Sequence, residues 1–286
     1  MEHALAELPL AIFTTLAPMG AGAFIVLMLA FFTTKFSDEQ VKKIDKMTLI
    51  PLILVAVGLG ASVLHLTSPL HAIYVFSGLG QSPLTNEIAV AGVFFVLAAI
   101  YTVLALLGKL SDGLRKILLA LTSVAALVFA VFVGLAYMMG TIASWNTPYT
   151  ILEIVGYCLL GGSVLGSFVL MLSGALDDAR KTPFKIAALI MVVAGALIAI
   201  GAMTAHVLMI NGMTTAMVSG AHLVEEALVV VIVFYAGALA ALVCEALLLF
   251  KSSNKVLALL ALILAVVAIF AGRMVFYATQ ISVGLQ

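Results

Sequence analysis

The sequence predicts an all-α polytopic membrane protein, a bundle of eight transmembrane helices with its N- and C-termini both on the outer, periplasmic side. Three observations lead to this fold class. Apolar residue types make up 65% of the 286 residues and charged types only 9%, whereas about a quarter of a soluble domain is charged. The apolar residues fall into long segments, and lysine and arginine are concentrated in every second connection between those segments.

Each apolar segment is long enough to cross a bilayer, because a helix of about 20 residues spans roughly 30 Å of hydrocarbon. Their uniform apolar character differs from the alternation of an outer-membrane barrel strand, and only helices satisfy all backbone amides within one segment. The whole chain, 1–286, is therefore predicted to be a single transmembrane domain. The predicted spans are Leu8–Phe32, Met47–Leu66, Ile88–Leu107, Leu114–Tyr137, Tyr149–Ser173, Phe184–Leu208, Ala227–Phe250 and Val256–Gln280.

Positive charges indicate how these spans are oriented. The connections after the first, third, fifth and seventh spans hold 12 of the 13 lysines and arginines, and those after the second, fourth and sixth hold none. Short connections rich in these residues stay in the cytoplasm. Both termini are therefore predicted to lie outside, as in a multi-pass protein of the cytoplasmic (inner) membrane. The net charge of zero gives no basic surface for nucleic acid.

The connections and the cysteines limit the chemistry that this protein performs by itself. The outer connections, about Thr67–Glu87, Met138–Pro148 and Met209–Glu226, are too short to fold as a separate domain. Cys158 and Cys244 lie inside apolar runs and belong to no Cys-rich motif, which excludes sequence-encoded iron–sulfur ligation and covalent haem attachment. Chemistry on a soluble substrate would therefore require another subunit.

Glycines recur on three of the spans. Such residues let helices approach each other closely, so helix packing is their expected role, and a cofactor pocket beside a glycine is the alternative. The positions are Gly20 and Gly22 in the first span, Gly58 and Gly60 in the second, and Gly162 and Gly166 in the fifth.

Arg273 lies in the last span and is the one cation outside the cation-rich connections. At about 1.5 Å per helical residue it is roughly 25 Å from the inner start of that helix, just below the outer surface. It either extends outward to lipid headgroups or is buried and pairs with a carboxylate or a ligand. His65 and Glu87 lie at the same depth, where they are either simply hydrated or exchange protons with outer water. Four further polar residues are predicted near this level: Glu7, Glu153, His206 and Glu226. Glu245, near the inner end of the seventh span, is predicted to be interfacial and either hydrated or paired.

Three classes of membrane protein were compared with this pattern. A secondary transporter places polar groups near the midplane, which is nearly bare of charge here. A b-type cytochrome needs pairs of facing histidines; His65 and His206 leave one haem open, whereas the inner side has no histidine. A quinol-oxidising anchor needs an acid–base group and a hydrogen-bond donor near one surface, and the outer polar residues fit this class best.

Four stretches of the sequence carry a family resemblance. They are Glu7-Leu8-Pro9-Leu10 with Ile12-Phe13-Thr14, His65-Leu66-x-Ser68-Pro69, Leu84-Thr85-Asn86-Glu87-Ile88-Ala89, and Gly272-Arg273-x-Val275-Phe276-Tyr277 with Val283-Gly284. Together they are similar to the membrane anchor subunits of the dimethyl sulfoxide reductase family of molybdenum enzymes. The similarity extends over the whole chain in order and in span count, and between the fourth and seventh spans it rests on hydropathy.

The resemblance implies a haem-free subunit of an oxidoreductase complex in anaerobic electron transport. Such anchors have eight helices, oxidise menaquinol to menaquinone near the outer face, and pass electrons to an iron–sulfur subunit that feeds a molybdopterin catalytic subunit. Iron–sulfur clusters and molybdopterin would then belong only to partner subunits on the outer face, and terminal reduction would occur there. The alternatives are a polysulfide-reductase-type quinone-binding anchor, a b-type cytochrome subunit and a secondary transporter.

By the matching motifs, His65 and Glu87 are implicated as the catalytic residues. His65 would accept a proton from the quinol hydroxyl and Glu87 would carry it onward. Arg273 would stabilise negative charge on the quinol oxygen or hold Glu87 by a charge-assisted bond. The quinol-binding set comprises His65, Ser68, Asn86, Glu87, Arg273 and Tyr277, and no metal ligand is predicted.

Overall fold

The computed structural model describes residues 2–64, 77–215, 218–251 and 254–283, and their side chains from Ala4 onward. Every regular element in these ranges is a helix. Eight helical segments of the described residues are long and apolar enough to cross a membrane. The prediction of an all-α, multi-pass membrane protein is therefore confirmed.

The helices follow one another with short connections. In order along the sequence they are α1 (Glu2–Ala6), α2 (Leu8–Thr33), α3 (Asp38–Met47), α4 (Leu49–Leu64), α5 (Pro83–Leu106), α6 (Asp112–Tyr137), α7 (Pro148–Leu172), α8 (Leu176–Ala179), α9 (Phe184–Asn211), α10 (Gly220–Phe250) and α11 (Lys255–Ala278). Because the crossings are even in number, α2 begins and α11 finishes at the same end of the bundle, which we call the terminal end. The twelve clustered lysines and arginines lie at or near the opposite, cation end.

Two helices, α2 and α7, form the centre of the bundle. Most of their apolar length is buried, 78% and 83% of the most apolar stretch respectively. They meet where Gly22 and Gly162 face each other, and a Cβ on either would overlap the backbone of the other helix. Gly58 likewise lies against Ala17, at 3.0 Å from a built Cβ, whereas Gly60 has no atom within 4 Å. Close packing is thus confirmed for most of the predicted glycines, but not for Gly60.

Three features of the helices differ from the sequence prediction. The predicted loop before the second span contains α3, which begins with a capping box between Ser37 and Gln40. Its hydrophilic composition had hidden it from a search for apolar runs. On the outer side, α5 begins at Pro83 behind the N-cap Ser82, so Glu87 lies inside the helix rather than at the end of a loop. The seventh span also begins earlier than predicted, at Gly220.

The cation end is held by a buried ion pair. Asp45 of α3 accepts two hydrogen bonds from the guanidinium of Arg115 on α6, one of them at 2.9 Å from Nη2, and Nη1 also donates to Tyr101 on α5 at 3.2 Å. Gln40 extends the contact to the α7–α9 connection by donating to Asp178 at 2.7 Å. This bond, with Lys181, holds the pKa of the Asp178 carboxyl below its usual range.

Glu245 is paired rather than hydrated, the two alternatives that the sequence left open. Its side chain on α10, near the cation end, is fully buried and accepts a hydrogen bond from Ser167 on α7. The sequence could not decide between the alternatives, because distance from a helix end says how deep a residue lies, but not whether its face of the helix points to solvent or to a neighbouring helix.

Candidate functional site

Arg273 is fully buried near the terminal end. Its Nε donates to Thr14 Oγ1 on α2 at 2.8 Å, and its Nη2 donates to Tyr277 Oη one turn further along α11 at 3.1 Å. Of the two alternatives for this residue, extension toward lipid headgroups is therefore wrong and the buried position is confirmed. The guanidinium instead points into the bundle, where an Arg is costly and needs partners.

Aromatic rings surround the guanidinium. Its Cζ lies 4.0 Å from the ring centroid of Phe276, 4.9 Å from that of Tyr277 and 5.1 Å from that of Tyr137. These distances are within the range of cation–π attraction. Tyr277 Oη donates to Tyr137 Oη at 2.7 Å, which ties α11 to the end of α6. The charge is thus held in one orientation by rings and hydroxyls.

Two carboxylates approach this cation from different helices. Glu153 on α7 is fully buried, and its Oε2 lies 4.0 Å from Arg273 Nη1. Glu87 on α5 is 5% exposed and is close enough to interact electrostatically with Arg273. Among the described residues, the carboxylate that forms the ion pair with Arg273 is therefore Glu153 and not the predicted Glu87.

His206 on α9 completes the contacts of Glu153. Its Nδ1 lies 2.8 Å from Glu153 Oε1, and its Nε2 lies 2.7 Å from the carbonyl oxygen of Ser144. The carbonyl oxygen only accepts hydrogen bonds, so Nε2 carries a proton. The two side chains stand 53 positions apart in the sequence, and the fold brings them together across the α7–α9 contact.

The connection between α6 and α7 closes the cluster at the terminal end. Trp145 donates from Nε1 to the carbonyl oxygen of Phe276 at 3.1 Å and stacks on that ring with centroids 4.9 Å apart. Ser144 Oγ accepts a hydrogen bond from the backbone N–H of Ile281 at 2.9 Å. This cap covers Arg273 and its partners from above.

The polar side chains lie in one layer. Thr14, Glu87, Glu153, His206 and Arg273 each stand four to six residues inside the terminal end of their helix, which is about 6–9 Å of axial distance at roughly 1.5 Å per residue. Five helices therefore contribute side chains at the same depth. Counting residues from the end of each predicted span identifies this layer. That count placed Glu153 and His206 among the polar residues near the outer level.

The other predicted quinol-binding residues do not all join the Arg273 cluster. Tyr277 belongs to the Arg273 cluster. Asn86 is half-buried, and its Oδ1 accepts a hydrogen bond from the backbone N–H of Gly80 at 2.7 Å, where Gly80 takes a positive φ of 82°. Asn86 thus holds the turn before α5, and its role in quinol binding stays a prediction. His65 and Ser68 lie outside the described residues.

The sequence interpretation missed the roles of several residues in this cluster. Thr14 lay in a matched stretch but had no assigned role, and Tyr137 and Tyr157 were treated only as parts of apolar spans. A tyrosine adds little to a hydropathy profile, so the profile gives no signal for a buried hydroxyl.

Within the described ranges, His, Cys, Asp and Glu side chains form no group of three or more that could hold a metal ion.

Comparison with known proteins identifies the family of this chain. The family described as DMSO reductase anchor subunit (DmsC) matches residues 1–279. The protein is 34% identical over 190 residues to the C subunit of anaerobic dimethyl sulfoxide reductase from Escherichia coli strain K12, and the alignment covers 66% of each protein. It is 32% identical over 188 residues to the YnfH subunit of anaerobic dimethyl sulfoxide reductase from the same strain, where the alignment covers 66% of this protein and 65% of that one.

A third relative is similar along its whole length. The C subunit of anaerobic dimethyl sulfoxide reductase from Haemophilus influenzae (strain ATCC 51907 / DSM 11121 / KW20 / Rd) is 28% identical over 285 residues, which cover 100% of this protein and 99% of the relative. In the two alignments with Escherichia coli proteins, the match spans slightly less than two thirds of the relatives' length. The family match confirms the resemblance seen in the sequence, and the chain belongs to the DMSO reductase anchor subunit family.

Proposed function

We propose that this protein oxidises menaquinol at the terminal end of the bundle and passes the electrons to an iron–sulfur subunit docked at that end. That subunit would feed a molybdopterin subunit that reduces dimethyl sulfoxide or a related S- or N-oxide. The protein would lie in the cytoplasmic membrane with the terminal end outside, as its charge distribution indicates. The observation that carries the proposal is a buried Arg273 with acidic side chains approaching from α5 and α7.

The chemistry of quinol oxidation matches these groups. A quinol loses two electrons and two protons when it becomes a quinone, so the site needs proton acceptors and a group that stabilises negative charge as an O–H bond breaks. Arg273 is a permanent cation, and Glu87 is a buried carboxyl group on α5 that interacts with it. His65, which precedes α5 in the sequence, remains the predicted first proton acceptor.

An apolar groove lies on the outward surface of α5. It has a volume of about 360 Å³ and is lined by Ile88, Ala89, Gly92, Val93, Val96 and Leu97. Glu87 lies on the opposite, inward face of the same helix, with Ala91 and Phe94. A quinol has a polar head and a long hydrocarbon tail, so the groove suits the tail, and the polar head would have to enter the bundle to meet Glu87.

Two alternatives receive less support. A b-type cytochrome would use His206 as an axial ligand, but both of its ring nitrogens are engaged by Glu153 and Ser144. A secondary transporter would have polar groups near the midplane, whereas the buried ionisable pairs described here lie near the two ends of the helices. Both facts favour a haem-free quinol-oxidising anchor, and electron transfer would then proceed directly to the partner's iron–sulfur clusters.

The test is Glu87→Gln in the complex with its partner subunits. Gln keeps the shape of the side chain but cannot take up a proton, so reduction of an S-oxide by a menaquinol analogue should fall about 100-fold. Reduction by an artificial dye, which delivers electrons directly to the soluble subunits, should remain at the wild-type rate. Wild-type quinol turnover in this variant would overturn the proposal.

The matched control is Glu245→Gln. Glu245 is also a buried glutamate of this protein, but it lies at the cation end, away from the proposed site. The control should keep both the quinol-dependent and the dye-dependent rates. An equal loss of quinol turnover in both variants would indicate damage to the bundle rather than loss of an acid–base group.

A further inference from the structure

We propose that Glu153 and His206 act as one proton-accepting pair that takes a proton from the quinol site and delivers it to the terminal surface. This inference rests on the proposed function and adds a second route for protons. Glu87, on α5, lies on the first route. The pair lies between α7 and α9, and its members are 0% and 2% exposed.

The geometry requires a shared proton. His206 Nε2 carries a hydrogen because it faces the Ser144 carbonyl oxygen at 2.7 Å. In a neutral imidazole, Nδ1 then has a lone pair, and an ionised Glu153 presents a second lone pair at 2.8 Å. Two acceptors at that distance repel each other, so one proton lies between them, either on the imidazole or on the carboxyl group. The pair is built to hold one exchangeable proton.

Unpartnered polar atoms connect the pair to Arg273. Within the described residues, Glu153 Oε2, Arg273 Nη1 and Tyr157 Oη are buried and have no hydrogen-bond partner. Glu153 Oε2 and Arg273 Nη1 are 4.0 Å apart, too far for a direct hydrogen bond. Tyr157 Oη lies beside Gly272, where a Cβ would overlap it, so this hydroxyl also faces α11. Buried polar groups normally have a partner, so these three atoms are available to a proton donor or acceptor that enters the cluster.

A permanent positive charge lies beside the pair. Arg273 Nη1 is 4.0 Å from Glu153 Oε2, so the pair exchanges its proton next to a cation. Among the described residues, Tyr137, Tyr157, Tyr277 and Glu87 also interact electrostatically with Arg273. With both glutamates ionised and His206 protonated, the cluster is neutral. A further proton makes the cluster positive. Within the cluster, the pair contacts the cap through His206 and Ser144.

The exit leads through the cap. His206 Nε2 contacts Ser144, and Asn146, two residues further, is exposed at the terminal end. In each cycle the loaded pair releases its proton at this surface. One quinol O–H bond then breaks and its proton reloads the pair, while the other proton leaves by His65 and Glu87. The two electrons go to the iron–sulfur subunit of the proposed function, so protons and electrons balance.

The test compares Glu153→Gln with Glu153→Asp in the assembled complex. Gln keeps the size of the side chain but cannot carry the proton, whereas Asp carries it on a shorter side chain. A proton-carrying role predicts that quinol turnover falls about 100-fold in the Gln variant, with a larger solvent deuterium isotope effect, and recovers in large part in the Asp variant. A role in packing predicts the opposite order, which would overturn the inference.

Further measurements separate this inference from the proposed function. Wild-type turnover in Glu153→Gln together with a loss in Glu87→Gln would refute the pair but leave quinol oxidation standing. Wild-type turnover in both would refute both. Dye-dependent activity that stays with the membrane fraction shows that each variant binds its partner subunits. Should Glu153→Gln fail to assemble, His206→Gln is measured instead, and an unchanged rate and isotope effect there would overturn the inference.

Discussion

The contact between Arg273 and Glu153 allows a quantitative test of the buried cluster. The perturbation is a double-mutant cycle that combines Arg273→Met with Glu153→Gln. Arg273→Met removes the cation, its hydrogen bonds to Thr14 and Tyr277 and its contacts with the rings. Glu153→Gln removes the negative charge but keeps the volume of the side chain. The double variant removes both charges from the bundle.

The distance between the charged groups sets the expected coupling. Unit charges 4.0 Å apart attract by about 4 kcal/mol at an effective dielectric constant of roughly 20. Arg273→Met leaves Glu153 beside His206 without this cation, so we expect a loss of about 3–5 kcal/mol. The double variant should be more stable than the sum of the single losses implies, by about 2–4 kcal/mol.

The assay is unfolding of the full-length protein in detergent, followed by fluorescence. The sequence has a single tryptophan, and Trp145 stacks on Phe276 directly above the guanidinium. Its emission therefore reports the cluster itself. Single losses that add to within about 0.5 kcal/mol in the double variant would refute the reasoning, because they would mean that the two charges do not interact across the 4.0 Å gap.

Two further predictions concern helix packing and the buried ion pair. Gly162→Ala should destabilise the protein by about 1–3 kcal/mol, because the new methyl would overlap the Gly22 backbone. The control Gly60→Ala has no atom within 4 Å of its Cβ, so it should be neutral or stabilise the protein by about 0.5–1 kcal/mol. Equal effects of the two substitutions on thermal unfolding would contradict the packing of α2 on α7. Asp45→Asn should destabilise the protein by about 3–5 kcal/mol, because it leaves Arg115 buried without its anion. The quinol and dye rates of the assembled complex should stay unchanged, and a selective loss of quinol turnover would contradict a purely structural role at the cation end.

The bundle was largely predictable because its main signal is compositional. A run of about 20 apolar residues is typical of a membrane-spanning helix and of little else, and the alternation of cation-rich connections agrees with the count of spans. The helix α3 was not predictable in this way. It is polar, and its buried residues Ile44 and Asp45 contact elements far away in the sequence. The early start of α10 was missed for the same reason, since His222, Glu225 and Glu226 lower the apolar content of its first turns.

The candidate site was predictable in depth but not in pairing. Residue counts from the helix ends placed Arg273, Glu87, Glu153 and His206 near one level, as the structure confirms for these described residues. Partner choice depends on how each helix is rotated about its axis, and a nearly uniform apolar helix gives little signal of that rotation. The motif match therefore directed attention to Glu87 as the partner of Arg273, while the fold pairs Arg273 with Glu153.

The two glutamates lie in different surroundings, which suggests how they divide the work of the proposed site. α5, which carries Glu87, has only 33% of its most apolar stretch buried, whereas α7, which carries Glu153, has 83%. A quinol that arrives from the bilayer would therefore reach α5, with Glu87 on its inward face, before it reaches α7. Glu153 lies on the enclosed helix and is joined through His206 to the carbonyl oxygen of Ser144 in the cap. The two acids stand at the same depth, so it is this contact, and not a difference in depth between the acids, that would lead a proton from Glu153 to the terminal surface.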